Sequence, residues 1–148
     1  MPFVFEQLDA YQRAREWVGL SLTIEKQARG SVPAPILDQL VRATNSIPLN
    51  VAEGCGRWGQ ADKQKFYQIA LGSLYECVAI LQLLVDRRAI SDIHYKKGYQ
   101  CLTSAGQLIN GLIRSVTSRP RLSKIRIPAP DSDSQSESDE RLSRRPQP

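Results

Sequence analysis

The chain has 148 residues, 41% of them hydrophobic, with 20 Lys/Arg against 15 Asp/Glu and a formal charge of +5. That length allows one compact domain with its own core, and the mild basic excess permits an anionic partner without demanding one. Three cysteines, Cys55, Cys77 and Cys101, are odd in number and widely spaced; this excludes a disulfide framework and reads as reduced thiols serving as small hydrophobes.

Helical periodicity begins near Glu6 and runs to Ala28. Leu8, Tyr11, Val18 and Leu22 make one apolar stripe, and Ala10, Ala14, Trp17, Ile24 and Ala28 make a second beside it. Two stripes exceed what one side of a small bundle normally buries. Trp17 and Ile24 therefore either face a partner subunit or lie deep in the interior. Arg29-Gly30, with Pro33 and Pro35 beyond, ends the segment.

The second helix is expected from about Ala34 to Cys55, where Leu37, Leu40, Thr44, Ile47 and Val51 recur at spacings of three and four. Pro48 lies inside it. The apolar phase continues past Pro48, so a kink is expected and not a break, with Ser46 and Asn50 placed to satisfy freed backbone groups. Gly54, Gly56 and Gly59 then end the helix.

The third runs from about Ala61 to Arg87 on Phe66, Ala70, Leu74, Cys77, Leu81 and Leu84. Gly72 and Ser73 fall mid-helix. Glycine there costs about 1 kcal/mol relative to alanine, and a close crossing against Ala43 and Ala52 would compensate. Arg87-Arg88 closes the helix, where cations meet the dipole favourably. The fourth runs from about Asp92 to Thr117 on Leu102, Ala105, Ile109, Leu112 and Val116, capped by Ser91 or Asp92. Gln100, Ser104, Gln107 and Arg114 make its wet side.

No segment alternates as a strand does. The reading is all-α: an up-down-up-down antiparallel four-helix bundle over residues 1–118 with a kinked second helix. Residues 119–148 hold a basic stretch (Arg119, Arg121, Lys124, Arg126), the acidic, serine-rich DSDSQSESDE (Asp131 to Glu140), and Arg141, Arg144 and Arg145. So little apolar surface predicts a disordered charged tail. The N-terminus lacks the pattern of a signal peptide, and no apolar run nears the ~20 residues of a membrane span. A cytoplasmic location is expected.

Chemistry-bearing constellations are sparse. His94 is the lone histidine and reads as a surface residue. Glu53 and Glu76 could face each other across the second and third helices. Two carboxylates without histidine make a poor transition-metal site, so a hydrogen-bonded structural role is expected, with no cofactor and no catalytic residue. GCGRWG (Gly54 to Gly59) follows a helix and lacks the Gly-Lys-Ser/Thr ending of a phosphate loop. Beside it, Arg57 and Trp58 with Lys63 and Lys65 either meet a nucleic-acid backbone and stack on a base, or pack on the bundle end with the cations solvated. Lys96-Lys97 opens the fourth helix, where the dipole disfavours cations. Helix stability does not explain that pair, so it points to an anionic partner.

The stretch QLVRATNSIPLNVAEGCGRWG (Gln39 to Gly59), then FYQIALGSLYE (Phe66 to Glu76), resembles the four-helix bundle family named after proteins encoded in 23S ribosomal RNA intervening sequences. FEQLDAYQRAREW (Phe5 to Trp17) is similar to that family's first helix, and the resemblance spans about residues 5–117. Its core is SIP-x-N-x-AEG followed by A-x-GS-x-x-E, matched by Ser46, Pro48, Asn50, Glu53, Gly54, Gly72, Ser73 and Glu76. The resemblance implies a ring-forming bundle, typically a homopentamer. It also implies kinship with the accessory variability determinant of diversity-generating retroelements, which binds nucleic acid and a reverse transcriptase. It brings no catalytic residues.

The expected function is a non-enzymatic homo-oligomer that binds structured RNA, other nucleic acid or an RNA-bound reverse transcriptase through a basic surface. Candidate contacts are Arg42, Arg57, Trp58, Lys63, Lys65, Lys96, Lys97 and Arg114. The alternative is a protein–protein scaffold with no nucleic-acid role.

Overall fold

The four periodic segments form four helices: α1 (Asp9–Ala28), α2 (Ala34–Gly56), α3 (Gln60–Asp86) and α4 (Asp92–Thr117). They come from a computed structural model that describes residues 1–117; the tail expected over 119–148 lies outside the described residues. α1 packs on α2 and α4, and α3 packs on the same two. Short connections make each consecutive pair antiparallel, an up-down-up-down bundle.

Side-chain contacts fix the register. Gln39 Nε2 donates to Glu76 Oε1 (2.7 Å), Ser73 Oγ bonds Ser46 Oγ (2.7 Å), and Gly54 faces Tyr67, so α2 ascends as α3 descends. Gln27 meets Ser91, and the Arg13 carbonyl meets Cys101, which sets α1 against α4 in the same way. One end of the bundle, here the proximal end, therefore holds the N-terminal segment, the α2–α3 turn and the last turn of α4. The distal end holds the α1–α2 and α3–α4 connections.

The core is the set of apolar stripes: Leu40, Ile47 and Val51 of α2, Ala70, Leu74, Cys77, Leu81 and Leu84 of α3, and Leu102, Ala105 and Ile109 of α4. α1 contributes Ala10, Ala14, Trp17, Ile24 and Ala28, with Trp17 at 0% exposure. Trp17 and Ile24 thus resolve to the interior, not to a partner subunit. The outer stripe is half-buried, with Leu8 and Tyr11 packed against the core, and only its Leu22 is exposed, at 53%. Inside this core a buried polar chain crosses three helices: Trp17 Nε1 donates to Thr44 Oγ1 (3.1 Å), which lies 3.6 Å from Cys77 Sγ. Burying the indole and hydroxyl is tolerable because each finds a partner.

Local chemistry sets the helix ends. α1 starts at Asp9, not Glu6, because Val4–Gln7 winds as a 3-10 turn and Leu8 is extended. Phe5 packs edge-on against Tyr11 at 4.9 Å, and Gln12 Nε2 donates to the Glu6 carbonyl, pinning that turn to the helix. Gly30, at φ 83°, turns the chain after α1. α2 runs unbroken through Pro48, with Asn50 Nδ2 donating to the Ser46 carbonyl (2.8 Å) and hydroxyl (2.9 Å). Ser91 Oγ accepts the His94 N–H (3.2 Å), the N-cap expected for α4.

Two glycine expectations are corrected. Gly72 is exposed, and a Cβ there would meet nothing within 4 Å, so it makes no close crossing. Gly54 does not end α2, which continues to Gly56; it is the close approach, since a Cβ would lie 2.7 Å from Tyr67 Cε1. The expectation that no stretch is apolar enough for a membrane span fails for α3, which passes on length and composition. One side of α3 is nevertheless the bundle core, and Glu76 on it is held by Gln39.

Candidate nucleic-acid interface

The bundle separates the expected contact residues into two groups. Arg57, Trp58, Lys63 and Lys65 surround the α2–α3 turn at the proximal end, and Arg114 lies in the last turn of α4 at that same end. Lys96 and Lys97 stand at the distal end. α4 has 26 residues, so the two ends are about 39 Å apart at 1.5 Å per residue. Arg42 sits between them on the exposed side of α2. No single site contains all eight.

At the proximal end most of the charge is used within the fold. Arg57 pairs with Glu53 one turn earlier, and its guanidinium lies 4.5 Å from the centre of the Phe66 ring. Lys63 Nζ donates to the Cys55 carbonyl (2.8 Å), satisfying the open C-terminal end of α2 as a C-capping cation does. Lys65 lies 5.8 Å from the Phe66 centroid. Trp58 does not pack on the bundle end: it is 99% exposed.

The distal end is different. Lys96 and Lys97 make no ion pair with another described residue, and the fold brings Arg87 and Arg88 of the α3–α4 connection and Lys26 and Arg29 of the end of α1 to the same end. Arg29 is paired with Glu25 at 2.8 Å. Lys26, Arg87, Arg88, Lys96 and Lys97 are exposed and outnumber the exposed acids of that end, Asp38, Asp86 and Asp92.

Sequence reasoning missed this gathering because Arg87-Arg88 was explained by the helix dipole. The backbone gives a different account. Arg88 sits past the helix end at φ 56°, its N–H bonded to the Val85 carbonyl and the Ala89 N–H to the Leu84 carbonyl. That is a Schellman end with arginine where glycine is usual. The missing glycine between two helices was the available signal.

The remaining singled-out groups have structural partners. Glu53 and Glu76 do not face each other: one is paired with Arg57, the other accepts from Gln39. His94 Nδ1 meets Gln27 Oε1, which also accepts the Ser91 N–H, so the imidazole ties α4 to α1. Burial pushes the Cys77 thiol up to about 11 and raises Cys101 and Tyr67 as well, which keeps the buried thiols protonated and poorly nucleophilic. Among the described residues no three His, Cys, Asp or Glu side chains gather in a way that could hold a metal ion.

Ser46, Pro48, Asn50, Glu53, Gly54, Ser73 and Glu76 lie along the α2–α3 seam, bonded or packed as described; Gly72 lies on its exposed outer edge.

Comparison with solved structures finds a protein of unknown function from the S23 ribosomal protein family of Bacteroides thetaiotaomicron VPI-5482. It has 20% identity and a TM-score of 0.66, over 71% of this chain and 98% of that one. That likeness establishes the helical fold. No curated protein matches the chain. The family model described as 23S rRNA-intervening sequence protein matches residues 6–111, spanning all of α1, α2 and α3 and most of α4, and the chain belongs to that family.

Proposed function

We propose that this chain is a non-enzymatic, homo-oligomeric accessory protein that binds the phosphate backbone of structured RNA, or an RNA-bound enzyme such as a reverse transcriptase. The observation that carries the reading is the distal end, where Lys26, Arg87, Arg88, Lys96 and Lys97 come together from three helix ends. Exposed cations of this kind contact phosphates and carry no base information, so recognition is by charge and shape. A ring, typically the pentamer that the resemblance implies, multiplies a weak site through avidity. The reading places the protein in the cytoplasm, without cofactor.

The test is fluorescence anisotropy with a generic structured RNA over a salt series. Binding should weaken steeply with salt. Reversing Lys96 and Lys97 to Glu should cut affinity about ten-fold or more at low salt and flatten the log–log salt slope by roughly 0.7–0.9 per lost phosphate contact. Absence of binding even at low salt would remove the RNA role.

A second reading is a protein–protein scaffold. It is favoured by the exposed apolar groups on α2 and α3: Leu49 (67%), Ile69, Tyr75 and Leu83. Such a scaffold would bind its partner equally well at low and high salt and ignore RNA.

A further inference from the structure

We infer that the acidic segment Asp131–Glu140 docks on the distal basic end of the bundle and competes there with nucleic acid. The inference deepens the RNA reading and rests on it only for the competition; the docking stands on charge and reach alone.

Charge selects the segment. DSDSQSESDE places five carboxylates in ten residues with no cation among them, the densest run of negative charge in the chain. The matching surface is the distal end. Lys26, Arg87, Arg88, Lys96 and Lys97 have no ion-pair partner among the described residues, while the proximal cations Arg57 and Lys63 are already engaged by Glu53 and the end of α2. Asp38, Asp86 and Asp92 share the distal end and still leave its cations in excess. Three of these cations stand at positions that do not favour them. Lys96 and Lys97 lie near the positive end of the α4 dipole, and Arg88 holds a left-handed backbone.

Reach permits the contact. α4 leaves the bundle at the proximal end with Thr117, and residues 118–130 precede the acidic segment. Thirteen residues span at most about 43–47 Å when extended, against about 39 Å along α4. The first acids can therefore arrive at the distal end of their own bundle. A linker of thirteen residues has a relaxed span of about 18–22 Å, so the near-extended reach holds the tethered concentration below the millimolar maximum of a matched linker, and several weak surface ion pairs must act together. Because the pairs are exposed, salt should release them.

The experiment uses the full chain and a full-length variant carrying Asp131→Asn, Asp133→Asn, Glu137→Gln, Asp139→Asn and Glu140→Gln. The first readout needs no RNA: zero-length carbodiimide cross-linking at low salt, with the joined peptides identified by mass spectrometry. Amide links from Lys96, Lys97 or Lys26 to carboxylates of 131–140 are expected in the full chain, absent from the variant, and lost at about 0.5 M salt. Links from the acidic segment only to Lys63, Lys65 or Lys124, or no links at all, would overturn the docking. The second readout is affinity for a generic structured RNA. The neutralised variant should bind about five-fold tighter at low salt, the gap closing as salt rises. Equal affinities alongside RNA binding by both proteins would overturn the competition. The distal cross-links without RNA binding by either protein would sustain the docking and remove the RNA reading instead.

Discussion

At Arg88 the backbone adopts φ 56° so that Ala89 and Arg88 can close the end of α3. A non-glycine residue in that conformation costs about 1–2 kcal/mol. Arg88→Gly is expected to raise stability by about 1 kcal/mol in chemical denaturation while weakening any RNA binding, the separation that a surface kept for contact should show. Cys77 carries a second prediction. Its thiol ionises near 9 when unfolded and at about 11 in the bundle, because burial disfavours the thiolate. The folded state holds that proton more tightly, so the associated stability is fully present below pH 9. It declines as pH rises through the folded value and does not change further beyond it. Between pH 9 and 11 the chain should lose about 2 kcal/mol more than a Cys77→Ala variant does over the same interval. Denaturant titrations at both pH values measure the difference.

At the scale of the helices, two glycines of the shared motif should respond in opposite directions. Gly54 lets the Tyr67 ring lie against α2, and the missing Cβ would sit 2.7 Å from it and 3.2 Å from Phe66 Cβ. Gly54→Ala must push α2 and α3 apart or turn the ring, at a cost of about 1–3 kcal/mol. Gly72 meets nothing within the subunit. Gly72→Ala should therefore stabilise an isolated subunit by up to about 1 kcal/mol through helix propensity and the loss of unfolded-state freedom. Thermal melts of the two variants, run beside the parent chain, read both signs.

For the whole molecule, the outer edge of the α2–α3 seam bears on assembly. Ile69, Gly72, Ala79 and Leu83 recur at helical spacing on α3, all exposed, beside Leu49 on α2. Arg42, Glu53 and Glu76 nearby leave the strip with little net charge, so like-charged subunits repel least there. If the proposed homo-oligomer forms through this strip, Leu49→Asp with Ile69→Asp should reduce the mass seen by light scattering to that of one subunit and leave helicity unchanged. An unchanged multimer would move the contact elsewhere on the bundle.

The sequence by itself determined the four helices and most of the core, because a single apolar period of about 3.6 residues dictates both the helix and the face it buries. The stripe from Ala70 to Leu84 and the Ser91 cap were legible for that reason. The pairing of Asn50 with Ser46 beside Pro48 was legible because the two lie one turn apart, whereas the bond from Ser73 to Ser46 joins two helices and was not. Only tertiary structure decided which stripe of α1 turns inward, since two stripes of similar hydrophobicity differ in depth only once three other helices surround one of them. The same holds for the glycines, whose spacing alone does not tell an open surface from a tyrosine ring. It holds most of all for charge. Lys26, Arg87 and Lys97 are far apart in the chain and share one end of the molecule, because antiparallel packing, which no local pattern encodes, carries the ends of α1 and α3 to the start of α4.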